Sequence, residues 1–306
     1  MGATASTGCI LTRVAVLAGD GIGPEVVETA ARDLPADMET VVLPVSADRY
    51  LRTGDLVTDE DFATIAASDA LLFGAIGDPR VPDKILEQGV ILRLRRELDL
   101  YVNLRPFPEL GLAIVRENTE GAYCGRGSRS GDEALEIGVN TQASIARCAE
   151  YAFELASGRR GRVTWSHKTN VMSYAGGLWR ETVEEVAEQW PGVELLYEHA
   201  DAAAYHLVTD PERFDVILTD NLFGDLLSDV AAGVSGGLGR AASANLHPND
   251  ATRPTRCLGL FEPVHGSAPD IAGTGTADPT AARKAVAMLL QALDEVPAKQ
   301  KREMIL

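Results

Sequence analysis

Three arginines, Arg95, Arg105 and Arg116, offer the planar fork that grips carboxylates with paired hydrogen bonds. Surface arginines commonly pair with neighbouring acids, but Arg105 and Arg116 stand at a turn and at a strand end, where α/β folds gather ligands. Asp225 and Asp229 are four residues apart in DNLFGDLLSD and so share one helix face. Two carboxylates there repel unless a cation lies between them, and Mg²⁺ or Mn²⁺ would serve; two solvated acids on an acidic protein is the alternative reading. Tyr123 and Lys168 are acid–base candidates in loops that follow strands. His167 has no nucleophile motif beside it. Asp201, in HADAAAYHLV, opens an amphipathic helical stretch where it could be the N-cap.

The carriers of these groups read as alternating strands and helices. Strands are expected at 13–18, 40–45, 70–73, 112–116, 162–166, 193–197 and 214–219. Helices are expected at about 24–34, 86–98, 141–157, 178–189 and 281–293. That alternation predicts an α/β fold. The turn GDGIGP at 19–24 follows a strand and precedes a helix, but Pro24 stands where the dinucleotide fingerprint needs its last glycine. A tight turn that shapes a nearby cleft is the better reading. The segment FEPVHGSAPDIAGTGTADP at 261–279 is dense in Gly, Pro and small residues, and is expected to be neither helix nor central strand. A long irregular loop of this kind is usually functional, and its backbone N–H groups with Asp270 could embrace an adenosine diphosphate group.

Bulk properties limit the partners. The chain has 306 residues and a net charge of −17, which argues against nucleic acid and anionic membranes and requires local arginines or a metal to receive an anionic substrate. Cys9, Cys124, Cys148 and Cys257 form no CxxC pair, which favours a reducing cytoplasm over a disulfide or zinc framework. No apolar run approaches the ~20 residues of a membrane span. Residues 1–12 lack the pattern of a signal peptide and are expected to be a short disordered lead-in.

Seven motifs, in order, resemble the β-decarboxylating dehydrogenases that act on isopropylmalate, isocitrate, homoisocitrate and tartrate. They are GDGIGPEV at 19–26, GAIGDP at 74–79, LRRELDLYVNLRP at 94–106, VRENTEGAY at 115–123, HKTNV at 167–171, DNLFGDLLSD at 220–229 and EPVHGSAPDIAG at 262–273. The resemblance implies a two-domain α/β fold that is not Rossmann, with a cleft between domains. Residues 1–100 and 236–306 would form the cofactor-side domain, and 101–235 a central domain with the dimer interface. It implies that Arg95, Arg105 and Arg116 hold the malate carboxylates, and that Asp225 and Asp229 bind Mg²⁺ or Mn²⁺ with Asp201 of the other subunit. Lys168, also from the other subunit, would help remove the hydroxyl proton, and Tyr123 would protonate the enolate carbon. Glu262 would lie near the nicotinamide ribose of NAD. The loop carrying His265, Gly266, Ser267, Ala268 and Asp270, with Asp278 beyond it, would hold the adenosine half. A carboxylate at Asp270 repels a 2′-phosphate, which favours NAD over NADP.

The implied substrate is a 3-substituted malate. Isocitrate enzymes place Ser and Asn six and four residues before the first arginine, where this chain has Gly89 and Ile91 around Val90. An apolar lining with Val90 and Ile91, framed by Glu87 and Gln88, favours isopropyl. The expected reaction is conversion of 3-isopropylmalate to 4-methyl-2-oxopentanoate, a step of leucine biosynthesis. Isocitrate, homoisocitrate, tartrate or a phosphonate analogue in specialised metabolism are the alternatives. A non-catalytic regulatory subunit would have lost the metal aspartates, Tyr123 or Lys168, and all are present. Two departures stand out: only ten residues separate Arg105 from Arg116, and Leu306 comes one or two helices early by comparison with the family.

Overall fold

The computed structural model describes residues 12–295; the lead-in expected at 1–12 falls, but for Thr12, outside the described residues. Strand β1 (Arg13–Gly19) leads through the glycine turn into α1 (Gly23–Ala31), followed by edge strand β2 (Glu39–Val42). Two short helices, α2 (Ala47–Thr53) and α3 (Asp59–Ala66), precede β3 (Ala70–Ala75), which is buried along its whole length. Helix α4 (Leu92–Glu97) and strands β4 (Val102–Phe107) and β5 (Leu112–Glu117) carry the three arginines. A separate hairpin follows, β6 (Gly121–Ser130) with β7 (Glu133–Val139).

The chain continues through α5 (Gln142–Ser157), β8 (Arg162–His167), α6 (Ser173–Ala187), β9 (Glu194–His199) and α7 (Ala200–Thr209). It ends with β10 (Val216–Thr219), α8 (Asn221–Val234), β11 (Ala242–Leu246), β12 (Gly259–Pro263) and α9 (Thr280–Glu295).

Ten strands form one sheet in the order β2-β1-β3-β12-β11-β4-β5-β10-β8-β9. One half is drawn from residues 13–75 and 242–263, the other from 102–219. Pairing is parallel within each half except that β11 runs antiparallel to β12 and β4, and β4 antiparallel to β5. The α/β class is therefore as expected, with a sheet larger than the separate strands suggested. Main-chain partners on both sides keep the middle strands buried. A polar side chain on them must find partners from neighbouring strands or from a covering helix.

Several expected boundaries move for local reasons. The second strand stops at Val42, before Pro44. The helix expected at 178–189 begins at Ser173 and runs through Gly176, where a Cβ would come within 2.8 Å of Thr169. Phe261–Pro263 finish β12 in the middle of the sheet, against the expectation for this segment; Pro263 is tolerated because it is the last strand residue. Irregular chain follows as far as α9. Asp201 is the second residue of α7, and His199 occupies the cap position. The link between β4 and β5 is a tight turn at Pro108–Leu110 closed by Gly111, with Glu109 paired to Lys284 of α9. None of residues 106–112 lines the central cavity described below. Cys124, Cys148 and Cys257 are free thiols. Among the described residues no helix is long and apolar enough to cross a membrane.

The glycine turn packs on the Ser267 loop by close approach. Gly21 has φ +58°, and a Cβ there would lie 1.9 Å from the Ser267 carbonyl oxygen, while the Ile22 N–H donates to that same oxygen at 2.8 Å. Asp20 ties the turn down by accepting from the N–H groups of Ala47 and Gly77. Gly21→Ala is thus expected to cost more than the about 1–3 kcal/mol of backbone strain alone, because the 267 loop must also move. Gly54→Ala, at φ +79° with open space around it, should cost only the strain. Denaturant unfolding of the two variants checks the difference; equal losses would show that the Ser267 contact does not matter.

Candidate active site

Arg105 and Arg116 lie on adjacent strands and face α8. Asp220 caps that helix by accepting from the Phe223 N–H at 2.8 Å, which fixes where the helix starts. Asn221, Asp225 and Asp229 then follow at four-residue intervals along one face. Arg116, 1% exposed, donates from Nε and Nη2 to Asn221 Oδ1 (3.0 and 2.7 Å) and from Nη1 to Asp225 Oδ1 (2.6 Å). Arg105 donates to Asn103 Oδ1 (2.9 Å), Ser228 Oγ (2.7 Å) and Asp225 Oδ1 (3.4 Å), and lies 3.5 Å from Asp229. Gly224 must be small, since a Cβ there would come within 2.5 Å of the Arg116 side chain.

Tyr123 reaches the same carboxylate from the hairpin, its hydroxyl donating to Asp225 Oδ2 at 2.9 Å, with the Arg116 guanidinium 5.2 Å from its ring centre. The turn that delivers it is organised by Glu117. This carboxylate, 2% exposed, accepts from the Thr119 and Glu120 N–H groups and from the Thr119 and Ser144 hydroxyls. Arg95 arrives from α4 and donates from Nη2 to Glu262 Oε1 at 3.2 Å, while its Nε is buried without a partner.

These groups converge on a cavity of about 370 Å³. Its lining combines the polar groups of Arg95, Arg105, Arg116, Tyr123, Asp225 and Glu262 with the aliphatic Ile76, Ile91 and Leu92, and also includes Glu87, His265 and Gly266. The expected selector stretch is rearranged. Glu87–Ile91 form a π-turn in which the Leu92 N–H bonds to the Glu87 carbonyl, one residue longer than an α-turn. Ile91 keeps its place on the cavity. Val90 is instead fully buried in the core with Leu94 and Leu98, and Gly89 packs on Leu56, where a Cβ would meet the Leu56 side chain at 2.1 Å. Leu92 takes the place expected of Val90.

The remaining expected site residues are dispersed. Lys168 Nζ and Asp201 Oδ1 pair with each other at 2.7 Å at the surface. They do not line the cavity, and among the described residues no three acidic, His or Cys groups of one chain converge as a metal cage. Asp225 and Asp229 are hard oxygen donors one turn apart, Asp229 half exposed, and fit part of a Mg²⁺ or Mn²⁺ site that still needs further ligands. Beyond His265 and Gly266, the Ser267 carbonyl is held by Ile22, Ala268 has φ 39°, and Asp270 is exposed. Asp278 accepts from the N–H and hydroxyl of Thr280 at the start of α9. The buried, unpartnered His265 Nε2 and Arg95 Nε are donors or acceptors waiting for a ligand, which fits a polar cofactor here.

The family model for isocitrate/isopropylmalate dehydrogenase matches residues 13–303. The chain belongs to that family. It is 50% identical over 316 residues to the 3-isopropylmalate dehydrogenase of Corynebacterium efficiens, covering 96% of this chain and 92% of the relative. The solved isocitrate dehydrogenase of Methylococcus capsulatus superposes with a TM-score of 0.81 at 35% identity, over 93% of this chain and 86% of that one. The TT0538 protein of Thermus thermophilus gives 0.82 at 32% identity, and this chain spans only 59% of that longer protein. Within the family frame, Asn103, Asn221, Ser228, Ser243 and Asn245 are the site-building residues that motif reading passed over. Asn103 lies two residues before Arg105 and so on the same face of β4, a strand the sequence pattern does not reveal.

Charge in the site is balanced by proximity. Burial raises the Asp225 carboxyl, but Arg116 and Arg105, with the Tyr123 hydroxyl, outweigh it and hold the group below its ordinary value. Burial also raises Asp229, assisted by the Asp225 charge and opposed by Arg105. Burial, then the Asp225 charge, pushes the Tyr123 phenol up, so it keeps its proton at neutral pH. Because folding favours ionised Asp225, its contribution to stability is present above the unfolded carboxylate pKa and fades as pH falls through the lower folded value. Asp225→Asn should therefore melt lower than the parent near neutral pH, and the gap should close below about pH 4. Melting curves across that range check it; a gap that widens in acid would contradict the assignment.

Proposed function

We propose that the chain oxidatively decarboxylates 3-isopropylmalate to 4-methyl-2-oxopentanoate with NAD⁺ and Mg²⁺ or Mn²⁺, the leucine-biosynthetic reaction. What carries this reading is one cavity lined by three arginines and Asp225 together with the aliphatic Ile91 and Leu92. The arginines suit the two malate carboxylates, and the aliphatic pair suits a branched alkyl group. When bound, NAD⁺ would supply hydride acceptance, and a divalent ion, held by Asp225 and Asp229, would supply Lewis-acid stabilisation of negative charge on oxygen. Arg95, Arg105 and Arg116 orient the substrate, their own positions fixed by Glu262, Asn103, Ser228 and Asn221. Tyr123 holds a proton on its hydroxyl beside Asp225 and delivers it to carbon. Lys168 of a second copy takes the hydroxyl proton, and Asp201 of that copy completes the ion's carboxylate set.

The two halves of the sheet correspond to the cofactor-side and central domains in this reading, residues 1–100 with 236–306 and residues 101–235. A homodimer is supported by large apolar side chains left exposed on the packed helices α7 and α8, Tyr205, Val208 and Leu226. Glu262 lies near the nicotinamide ribose of NAD, and His265, Gly266, Ser267, Ala268 and Asp270 hold the adenosine half, with Asp278 beyond them. The reducing cytoplasm fits the free thiols.

Three outcomes are expected. NADH formation should require added Mg²⁺ or Mn²⁺, so full activity after EDTA treatment would overturn the metal role. kcat/KM for 3-isopropylmalate should exceed that for isocitrate by at least ~100-fold, because a third carboxylate against Ile91 and Leu92 loses water without gaining partners. Ile91→Asn should narrow that gap, and comparable rates for the parent would refute the role of this aliphatic lining. Finally, mixing Lys168→Ala with Asp225→Asn subunits should restore activity by creating one intact shared site per mixed dimer. Subunit exchange without recovery would refute the shared site.

A further inference from the structure

Beneath the cavity lies an amide that touches no solvent. Asn245, fully buried on β11, sits opposite Asn103 on one side and Leu260 on the other. Its Nδ2 donates to Glu262 Oε1 at 2.8 Å and to the Leu260 carbonyl at 3.2 Å. Its Oδ1 accepts from Asn103 Nδ2 at 2.8 Å and from Asn118 Nδ2 at 2.9 Å. Both donors and both lone pairs are therefore used.

The direction of this amide is forced by groups that cannot reverse. Asn103 Oδ1 accepts from Arg105 Nε, and a guanidinium only donates, so Asn103 must turn its NH₂ towards Asn245. Asn118 Nδ2 donates to the Leu100 carbonyl, which only accepts, so its NH₂ also faces Asn245. A flipped Asn245 would set its NH₂ against two other NH₂ groups and its oxygen against the Glu262 carboxylate and the Leu260 carbonyl. The network thus requires Asn245 to point N–H at Glu262.

We propose that Asn245 is the positioning residue for Glu262. It and Arg95 both occupy Oε1 of this cavity-lining carboxylate, which leaves the second oxygen without a hydrogen-bond partner among the described residues. In the reading above, that oxygen accepts from a hydroxyl of the nicotinamide ribose. The same amide is itself oriented by Asn103, which Arg105 holds in turn. Asn245 contacts neither ligand and acts through Glu262 alone.

The test is binding to the full-length protein in Mg²⁺ without substrate, with NADH and AMP as probes. Asn245→Asp keeps the shape but places a carboxylate where the donor stood, 2.8 Å from Glu262 Oε1. NADH affinity should fall by at least about 10-fold, while AMP, which lacks the nicotinamide ribose, should bind within about 2-fold of the parent. In a Glu262→Ala background, adding Asn245→Asp should change NADH affinity by less than about 2-fold, because the group it acts through is gone. The double variant also lacks the carboxylate clash, so it reports even if Asn245→Asp alone folds poorly. Independent, multiplying losses, or equal losses of NADH and AMP, would overturn the assignment while leaving the cofactor reading intact. A parent protein that binds no NADH would overturn the cofactor reading and the assignment with it.

Discussion

Taking a guanidinium out of water costs several kcal/mol unless it is charge-paired and every N–H finds an acceptor. This structure does so twice within a few ångströms, with Arg105 and Arg116 against the middle of a ten-stranded sheet. Their own repulsion adds to the cost, and burial and mutual proximity lower the basicity of Arg116. Asp225, between them, is the compensating charge. Its placement depends in turn on the Asp220 cap, on a glycine at 224 that lets the helix approach, and on Asn221 one turn earlier. Helix, sheet and hairpin all meet at this one carboxylate.

The same arrangement stands ready for chemistry. Without ligands, the three arginines are opposed by Asp225, Asp229 and Glu262. A dicarboxylate and a divalent cation arriving together would leave that balance unchanged, whereas either alone would disturb it. The polar row across the sheet, Asn103, Ser243 and Asn245, uses amides and a hydroxyl rather than more charge. It orients the charged groups without altering the sum. Ile91 and Leu92 add aliphatic groups to the cavity lining without adding charge.

Much of this was legible in the chain. Arg95, Arg105, Arg116, Tyr123, Asp225, Glu262, His265 and Gly266 all stand in the motifs and all line the cavity. The alternation of apolar runs gave the α/β class, and the glycine segment expected to shape a cleft is a tight turn packed on the Ser267 loop, with none of its residues lining the cavity. Strands β4, β11 and β12 and the β6–β7 hairpin were not legible. Their residues are too polar, too glycine-rich or too short to show a period, and they are strands because neighbours complete their hydrogen bonds.

Sequence alone determined which chemical groups are available and which share a helix or strand face, since that follows from local geometry of 3.6 or 2 residues per repeat. Tertiary structure decided the rest. The family resemblance put Gly89, Val90 and Ile91 at the pocket. One π-turn, set by packing against Leu56 and the core, turned Gly89 and Val90 away and brought Leu92 in. Asn245 carries no motif at all. Its role exists only because two distant strands bring Asn103 and Glu262 to either side of a buried amide, and a buried amide must satisfy every donor and acceptor it has.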